Sequence, residues 1–331
     1  MHRLLALIAC MLMAPALAAA ETAVSDTGQA DAKHTELLLN IQRAAQELDY
    51  AGVYTYQQGV VLKSSRVVHR VDGTGERERV EMLDGTPHEL IRHNDDIQSL
   101  YPDHQLVIHE ERRGGRFPGL LQKPDTAHLL NYYQLVQLPD TERVAGRDCT
   151  VLVLVPQDPY RYGYVLCVDT DTYLLLKTQT VTARQDVVDQ VAFVSLTMGE
   201  EAAKEPVSPS WDTQEWTETE TPMVEVDLNE KGWRIPRPPG FDVMMQVSRP
   251  LRLDDRVHQL VLSDGLAAIS VFIEPFNDKR HSVSSQGGIH KGPFNIFRRR
   301  VADHWLTVLG QVPGDTLRDL AERIEYIPLA Q

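Results

Sequence analysis

The chain has 331 residues, of which 42% are hydrophobic and 24% charged, and this composition is typical of a folded globular protein and excludes a disordered one. Its formal charge of −14 at pH 7 excludes the overall basic field of a nucleic-acid-binding protein. Because the chain is longer than one hydrophobic core usually serves, two domains are expected.

The N-terminal segment, residues 1–20, has the pattern of a secretory signal peptide. A polar start containing Arg3 precedes an apolar run from Leu4 to Met13, and Ala16–Ala20 supplies small residues for cleavage. We therefore predict export and removal of this segment, and assign it no part in the fold. The alternative is a lipoprotein signal ending at Cys10, which would leave only a few apolar residues before that cysteine.

Residues 21–199 are predicted to form a first domain dominated by antiparallel strands. A helix is expected from Thr35 to Tyr50, because apolar residues recur along one of its faces. Short segments rich in Val, Tyr and Thr follow, separated about every ten residues by turns such as Asp72-Gly73 and Asp84-Gly85. A short helical segment is expected at residues 129–133. Since βαβ alternation is absent, the pattern predicts one large antiparallel sheet carrying a few helices.

Cys149 and Cys167 are the two cysteines that remain once the predicted signal peptide is removed. They lie on two predicted strands, Arg147 to Val155 and Arg161 to Asp169, which a turn at residues 156–160 connects. A symmetric register puts the two cysteines directly opposite each other, where a disulfide can form. Export to an oxidising compartment favours this disulfide. Two separate buried thiols are the alternative.

Composition changes at residues 200–222, where seven acidic residues stand against Lys204 as the one basic residue. This segment is predicted to be an extended acidic linker. Residues 223–331 follow as a smaller α+β domain. Its strands are predicted at residues 241–249, 257–263, 266–274 and 304–312, and a closing helix begins at Gly314. The predicted fold class is therefore α+β and mainly antiparallel β.

The sequence offers no catalytic or metal-binding motif. His88 and His93 resemble the pair of a zinc-protease helix, but at their spacing neither a helix nor a strand presents both rings to one metal. A nucleophile elbow, a phosphate-binding glycine loop and Cys/His clusters with ligand spacing are all missing from the sequence. We therefore expect a binding protein without catalytic residues, metal or cofactor.

Two groups of residues are candidates for binding. A sheet with few covering helices favours a cleft for acyl chains or an apolar peptide, although ordinary core packing explains the same residues as well. The cleft candidates are Tyr54, Tyr56, Leu129 and Tyr133. Residues 279–300 carry six cations and no acid, which indicates an anionic partner such as an acidic peptide or lipid phosphates, with a solvated loop as the alternative. These candidates are Lys279, Arg280, Lys291, Arg298, Arg299 and Arg300.

Several segments of the sequence resemble the MucB/RseB family. Tyr50–Tyr56 is similar to the opening sheet of that family, Asp264–Glu274 resembles its most recognisable run, and His304–Pro313 is similar to its closing strand. The matches follow one another in order through both predicted domains. They therefore carry more weight than any single motif.

The resemblance implies a periplasmic negative regulator of an envelope-stress sigma factor of the sigma-E/AlgU type. Such proteins bind the periplasmic region of a membrane-spanning anti-sigma factor (MucA or RseA type), shield it from regulated proteolysis, and release it on a lipid or lipopolysaccharide signal. It also implies an N-terminal open β-barrel similar to the lipoprotein carriers LolA and LolB, and a homodimer or higher oligomer. The alternative function is a periplasmic lipid or lipoprotein carrier of the LolA/LolB type.

Overall fold

The computed structural model describes residues 16–111, 117–119, 126–220, 223–250, 256–281, 286–291 and 294–328. Most of the predicted signal peptide lies outside this part of the chain. Within it, the polypeptide forms a large sheet, a small sheet, a two-stranded ribbon and three α-helices.

The large sheet contains twelve strands, and two helices belong to the same half of the chain. The helices are α1 (Ala16–Glu47) and α2 (Thr126–Leu130). The strands are β1 (Tyr50–Gln58), β2 (Val61–Asp72), β3 (Gly75–Met82), β4 (Glu89–His93), β5 (Asp96–Tyr101), β6 (Leu106–Glu111), β7 (Tyr133–Val144), β8 (Arg147–Pro156), β9 (Gly163–Asp169), β10 (Leu175–Val181), β11 (Val187–Met198) and β12 (Thr217–Glu220).

The large sheet is an open meander, antiparallel except at one edge, in which β1 meets β11 near the middle. Its order is β12-β6-β5-β4-β3-β2-β1-β11-β10-β9-β8-β7, so β1 lies between β2 and β11. All neighbours pair antiparallel except β12, which pairs parallel with β6. The sheet is open because the edge strands β12 and β7 do not pair with each other. The predicted antiparallel meander is confirmed.

Helix α1 packs on the large sheet with its apolar face. Leu38 and Ile41 are fully buried in one hydrophobic cluster, and Ala44 and Ala45 belong to a second. The helix begins earlier than predicted and ends at Glu47 rather than Tyr50. It ends there because Tyr50 is the first residue of β1 and pairs with residues of both β2 and β11.

The predicted disulfide between Cys149 and Cys167 is present, with Cα atoms 5.4 Å apart. The predicted register is wrong, because Cys149 pairs with Asp169 and Cys167 pairs with Val151. The two cysteines are therefore diagonal neighbours on one face of the sheet and not direct partners. Within the connecting loop, the Asp158 carboxylate accepts the backbone N–H of Tyr160 at 2.9 Å.

The segment predicted to be an extended acidic linker instead docks on the large sheet. Ala202 is fully buried against that sheet. The backbone N–H of Ser210 donates to the buried Glu89 carboxylate at 3.0 Å, and the Ser210 hydroxyl accepts from Arg79 at 2.9 Å. Strand β12 then extends the sheet at its edge. The division of the chain at residues 199–200 and 222–223 stays a prediction.

The small sheet contains seven antiparallel strands, and the closing helix packs on it. The remaining elements are β13 (Val224–Glu225), β14 (Trp233–Arg234), β15 (Asp242–Pro250), β16 (Arg256–Ser263), β17 (Ala268–Pro275), β18 (Gly287–Lys291), β19 (Phe294–Val301), β20 (His304–Gly310), α3 (Gly314–Arg323) and β21 (Glu325–Tyr326). The order is β13-β15-β16-β17-β20-β19-β18, while β14 pairs with β21 as a separate ribbon. Leu317 and Leu320 of α3 belong to the hydrophobic cluster of this sheet, so its core is distinct from those under α1.

Candidate functional site between the two sheets

Of the predicted cleft residues, Tyr54 and Tyr56 lie on β1. The Tyr54 ring packs edge-on against Phe117 at 5.4 Å and Phe193 at 6.2 Å. Burial and the neighbouring Asp189 carboxylate raise the pKa of Tyr56 to about 12. Both tyrosine side chains are therefore partly buried against neighbouring residues of the large sheet.

The other two predicted cleft residues, Leu129 and Tyr133, lie in a different hydrophobic cluster. Both are buried with Leu38 and Ile41 of α1, whereas Tyr54 packs against the neighbouring cluster. Tyr54 on one side and Leu129 with Tyr133 on the other therefore contact two different hydrophobic clusters. That they bind a lipid stays a prediction.

Two cavities among the described residues lie elsewhere. One of about 360 Å³ lies between α1 and the large sheet and has Lys33, Leu37 and Tyr173 in its wall. Another of about 410 Å³ lies beside β15, with Trp233 and Arg237 among its lining residues. Neither cavity is lined by any of the four predicted cleft residues.

Strand β19 divides the basic residues that were predicted to meet an anion. Because alternate residues of a strand point to opposite faces, Arg298 and Arg300 face one side and Arg299 the other. Arg299 donates to the carbonyl of Ile324 after α3. The Arg300 guanidinium lies 4.0 Å from the ring centre of Phe276.

The remaining predicted basic residues lie on separate elements. Arg280 forms an ion pair with Glu274 at 3.1 Å, while Lys279 is exposed in the preceding turn. Lys291 is exposed on the edge strand β18. These placements show several cations spread over the small sheet, and their binding of an anionic partner stays a prediction.

A buried ion pair connects the two sheets. Arg161, in the loop between β8 and β9, donates through Nη1 to Oδ2 of Asp264, which follows β16, at 2.8 Å. Both side chains are fully buried, at 0% exposure. Arg161 also donates to Asp158 of its own loop at 3.0 Å and to the carbonyl of Pro239 across the interface.

Aromatic rings surround the Arg161 guanidinium and exclude water from the ion pair. The guanidinium carbon lies 4.8 Å from the ring centre of Tyr132, 5.5 Å from that of Tyr133 and 5.0 Å from that of Phe241. Cation–π contacts of this kind gain strength when the cation is desolvated. Because Phe241 belongs to the small-sheet cluster and Tyr133 to a large-sheet cluster, the arginine joins the two cores.

The Asp264 carboxylate is fully provided with hydrogen-bond donors from both sides. Oδ1 accepts the backbone N–H groups of Leu266 at 2.9 Å and Ala267 at 2.8 Å, which fixes the turn after β16. Oδ2 accepts the Tyr133 hydroxyl at 3.0 Å in addition to Arg161. Burial raises the pKa of Tyr133 well above its ordinary value, so its hydroxyl stays protonated and donates.

A second set of polar contacts flanks the ion pair. Gln311, after β20, donates to the Thr180 hydroxyl at 3.0 Å and to the Asp189 carboxylate. The Thr316 hydroxyl of α3 donates to the carbonyl of Tyr160 at 3.1 Å. Asn295 donates to the Tyr162 hydroxyl at 3.2 Å. These contacts fix the pose of one sheet relative to the other through directional bonds.

The sequence analysis missed Arg161 and Asp264 as a pair. Asp264 lay within the recognised Asp264–Glu274 run but had no assigned role, and Arg161 was placed at the start of a strand. One signal could have identified the arginine: the run Tyr160–Tyr164 places it among tyrosines in a turn, a composition typical of a packed interface.

The described residues contain no group of three or more His, Cys, Asp and Glu side chains that could hold a metal ion. Among the same residues, no helix is both long and apolar enough to span a membrane.

Comparison with known proteins relates both halves of the chain to one family. Residues 33–211 match the MucB/RseB N-terminal domain, and residues 227–325 match the MucB/RseB C-terminal domain. The sigma factor AlgU regulatory protein MucB of Pseudomonas aeruginosa is 28% identical over 93% of this chain and 95% of its own. The sigma-E factor regulatory protein RseB of Escherichia coli K12 is 25% identical over 88% of this chain and 90% of its own.

Solved structures agree with the sequence comparison. The crystal structure of MucB in complex with MucA(peri) covers 90% of this chain and all of its own, with 26% identity and a TM-score of 0.69. The crystal structure of MucB covers 89% of this chain and 98% of its own, with 25% identity and a TM-score of 0.61. Since the matches span both sheets and the segment that joins them, this chain belongs to the MucB/RseB family.

Proposed function

We propose that this protein is a periplasmic regulator that binds the periplasmic region of a membrane-spanning anti-sigma factor of the MucA/RseA type and shields it from regulated proteolysis. The observation that carries the proposal is the similarity, over 90% of the chain, to a protein whose structure with MucA(peri) has been solved. The match extends through both sheets, so both domains of the relative have counterparts here.

Shielding needs a surface of fixed shape and no bond-making step. Binding costs less free energy if the surface contributed by each sheet is already held in one arrangement. The buried pair Arg161–Asp264 and the contacts of Gln311 hold that pose in this structure. The interface between the sheets therefore supports the proposal as the part of the molecule that makes the two domains act together.

Release by a lipid or lipopolysaccharide signal forms a second part of the proposal. A lipid that prefers a different pose of the two domains would oppose anti-sigma binding, to the extent of its differential affinity for the two poses. The open edge of the large sheet agrees with the LolA/LolB-like half-barrel expected from the family resemblance. Homodimers or higher oligomers belong to the same proposal.

A protease-protection assay tests the function. The purified periplasmic segment of the anti-sigma factor is digested by its regulatory protease with and without the full chain, and with added lipopolysaccharide in a parallel series. We expect stoichiometric protection that lipopolysaccharide reverses. Rapid digestion of the segment in the presence of excess protein would contradict shielding, and extraction of acyl chains without protection would favour the carrier alternative.

A further inference from the structure

The hairpin that connects β1 and β2 exposes three consecutive aliphatic side chains. Val60 is 103% exposed, Leu62 58% and Val61 47%. Gly59 precedes them with a φ of 52°, in the left-handed region that forms the turn. The hairpin therefore presents its apolar residues to solvent at its tip, where polar turn residues are usual.

Two further exposed aliphatic residues lie at the same end of the large sheet. Gln57 pairs with Leu62 of β2 and with Gln190 of β11, so the β1–β2 and β10–β11 turns extend beyond the same row of the sheet. Val187, at the start of β11, is 54% exposed, and Leu83, just after β3, is 39% exposed. We call Val60, Val61, Leu62, Leu83 and Val187 the apolar rim.

The apolar rim is difficult to explain as part of the fold. Val60, Val61 and Leu62 belong to none of the hydrophobic clusters of the described residues. A run of exposed aliphatic residues lowers solubility and is avoided unless it has a function. The rim consists of residues in or beside the turns at one end of the sheet.

Charges around the rim balance one another. Lys63 and Arg184 are exposed beside it, and so are Asp84 and Asp186. The chain as a whole carries −14, so long-range attraction to an anionic surface is unfavourable. A partner that binds the rim must therefore obtain its binding free energy from burial of the apolar side chains. The interfacial region of a phospholipid bilayer provides this.

We propose that the apolar rim inserts into the surface of a phospholipid bilayer and holds this protein against the membrane. The inference rests on the proposed function to the extent that the anti-sigma partner is anchored in that membrane. Docking would then confine both proteins to one surface and raise their effective concentration. Val60, Val61 and Leu62 take no part in the contacts described between the two sheets, whereas Val187 lies two residues before Asp189, which accepts from Gln311 there. The next residue of β2, Lys63, pairs with the cleft candidate Tyr56.

Vesicle flotation tests the proposal with the full chain. The probe is a vesicle of phosphatidylethanolamine and phosphatidylglycerol, with phosphatidylcholine vesicles in parallel. The triple variant V60S/V61S/L62S removes the tip, and V194S/V224S/I289S is the matched control because its three residues are 60%, 55% and 45% exposed at other places. Circular dichroism and thermal melting establish that both variants fold.

We expect the affinity of the tip variant for vesicles to be lower by about 30-fold or more, because it has no aliphatic side chains at the tip to transfer from water into the bilayer. The control should bind as the wild type does, and the anionic lipid should not strengthen binding, because the net charge of −14 opposes it. Equal binding by the tip variant and the wild type, equal loss in both variants, or no binding by the wild type would each overturn the proposal.

Two further measurements separate this proposal from its alternatives. The tip variant should still protect a soluble anti-sigma segment from protease, so a failure of membrane docking and a failure of the proposed function are distinguishable. Sedimentation velocity without lipid tests whether a second copy covers the rim. A wild-type dimer that the tip variant loses would overturn the bilayer as the partner.

Discussion

Removing the Arg161 side chain should weaken the connection between the two sheets more than any exposed substitution. Arg161→Met keeps much of the side-chain length and apolar contact but removes the charge and the hydrogen bonds to Asp264 and Pro239. Breaking a buried ion pair by deleting one partner costs about 3–5 kcal/mol, because the other charge stays buried. Asp264 keeps the Tyr133 hydroxyl and two backbone N–H donors. We therefore expect the lower end, about 3 kcal/mol.

Equilibrium urea unfolding followed by tryptophan fluorescence measures this loss. Trp233 and Trp305 are buried in the small-sheet half of the chain, while Trp211 and Trp216 stack on each other in the docked segment before β12. Fluorescence therefore reports on both halves. In the variant we expect a lower free energy of unfolding and separation of one transition into two, because the cores no longer unfold together.

A double-mutant cycle with Asp264→Asn decides whether the effect arises from the pair. The double variant should lose about 2 kcal/mol less than the sum of the single losses, since neither charge is then left buried alone. Arg66→Met is the matched control, because the Arg66–Glu81 pair at 3.1 Å is exposed and should contribute less than about 1 kcal/mol. Additive losses, or a loss at Arg161 as small as at Arg66, would refute the reasoning.

Three further predictions concern the large sheet and its interface. Burial raises the pKa of Asp189, so the folded state keeps this proton to higher pH than the unfolded chain, and the associated stability is lost as the pH rises through the raised value. In urea titrations Asp189→Asn should therefore gain stability relative to the wild type as the pH rises above the ordinary pKa of an aspartate, and a pH-independent difference would contradict this. Replacing Cys149 and Cys167 by serine opens a link between residues 18 apart and should lower the free energy of unfolding by about 3 kcal/mol, matching the wild type under reducing conditions. Gly240→Ala should destabilise the interface, because its φ is 75° and a Cβ would lie 2.7 Å from the Tyr132 ring; an unchanged melting temperature would refute that contact.

The positions of the strands along the chain were predictable because they depend on residues that are close together in the sequence. Alternating apolar residues and turn dipeptides located the strands on either side of Asp72-Gly73 and Asp264-Gly265, and the structure confirms them. The disulfide between Cys149 and Cys167 was predictable for the same reason, since a hairpin limits which residues can come into contact. Its register was not, because a loop as long as residues 157–162 permits more than one register of the two strands.

Long-range contacts could not be predicted from local patterns. Residues 200–220 are acidic and polar like a free linker. However, Ser210 forms hydrogen bonds with the buried residues Arg79 and Glu89, which lie more than a hundred residues earlier in the sequence. Arg161 and Asp264 are also about a hundred residues apart, and a sequence does not reveal which buried charge meets which. Leu129 and Tyr133 pack with Leu38 and Ile41 of α1, which is again a contact between parts of the chain that lie far apart in the sequence.

Calorimetric titration of the anti-sigma factor's periplasmic segment into the full-length protein tests the central claim most directly. We expect saturable binding by the wild type and weaker binding by Arg161→Met, because the segment needs both sheets in the pose that Arg161 and Asp264 hold. Absence of a binding isotherm with the folded wild type would contradict the proposed function. Equal affinity for the two proteins would contradict the role given to the interface.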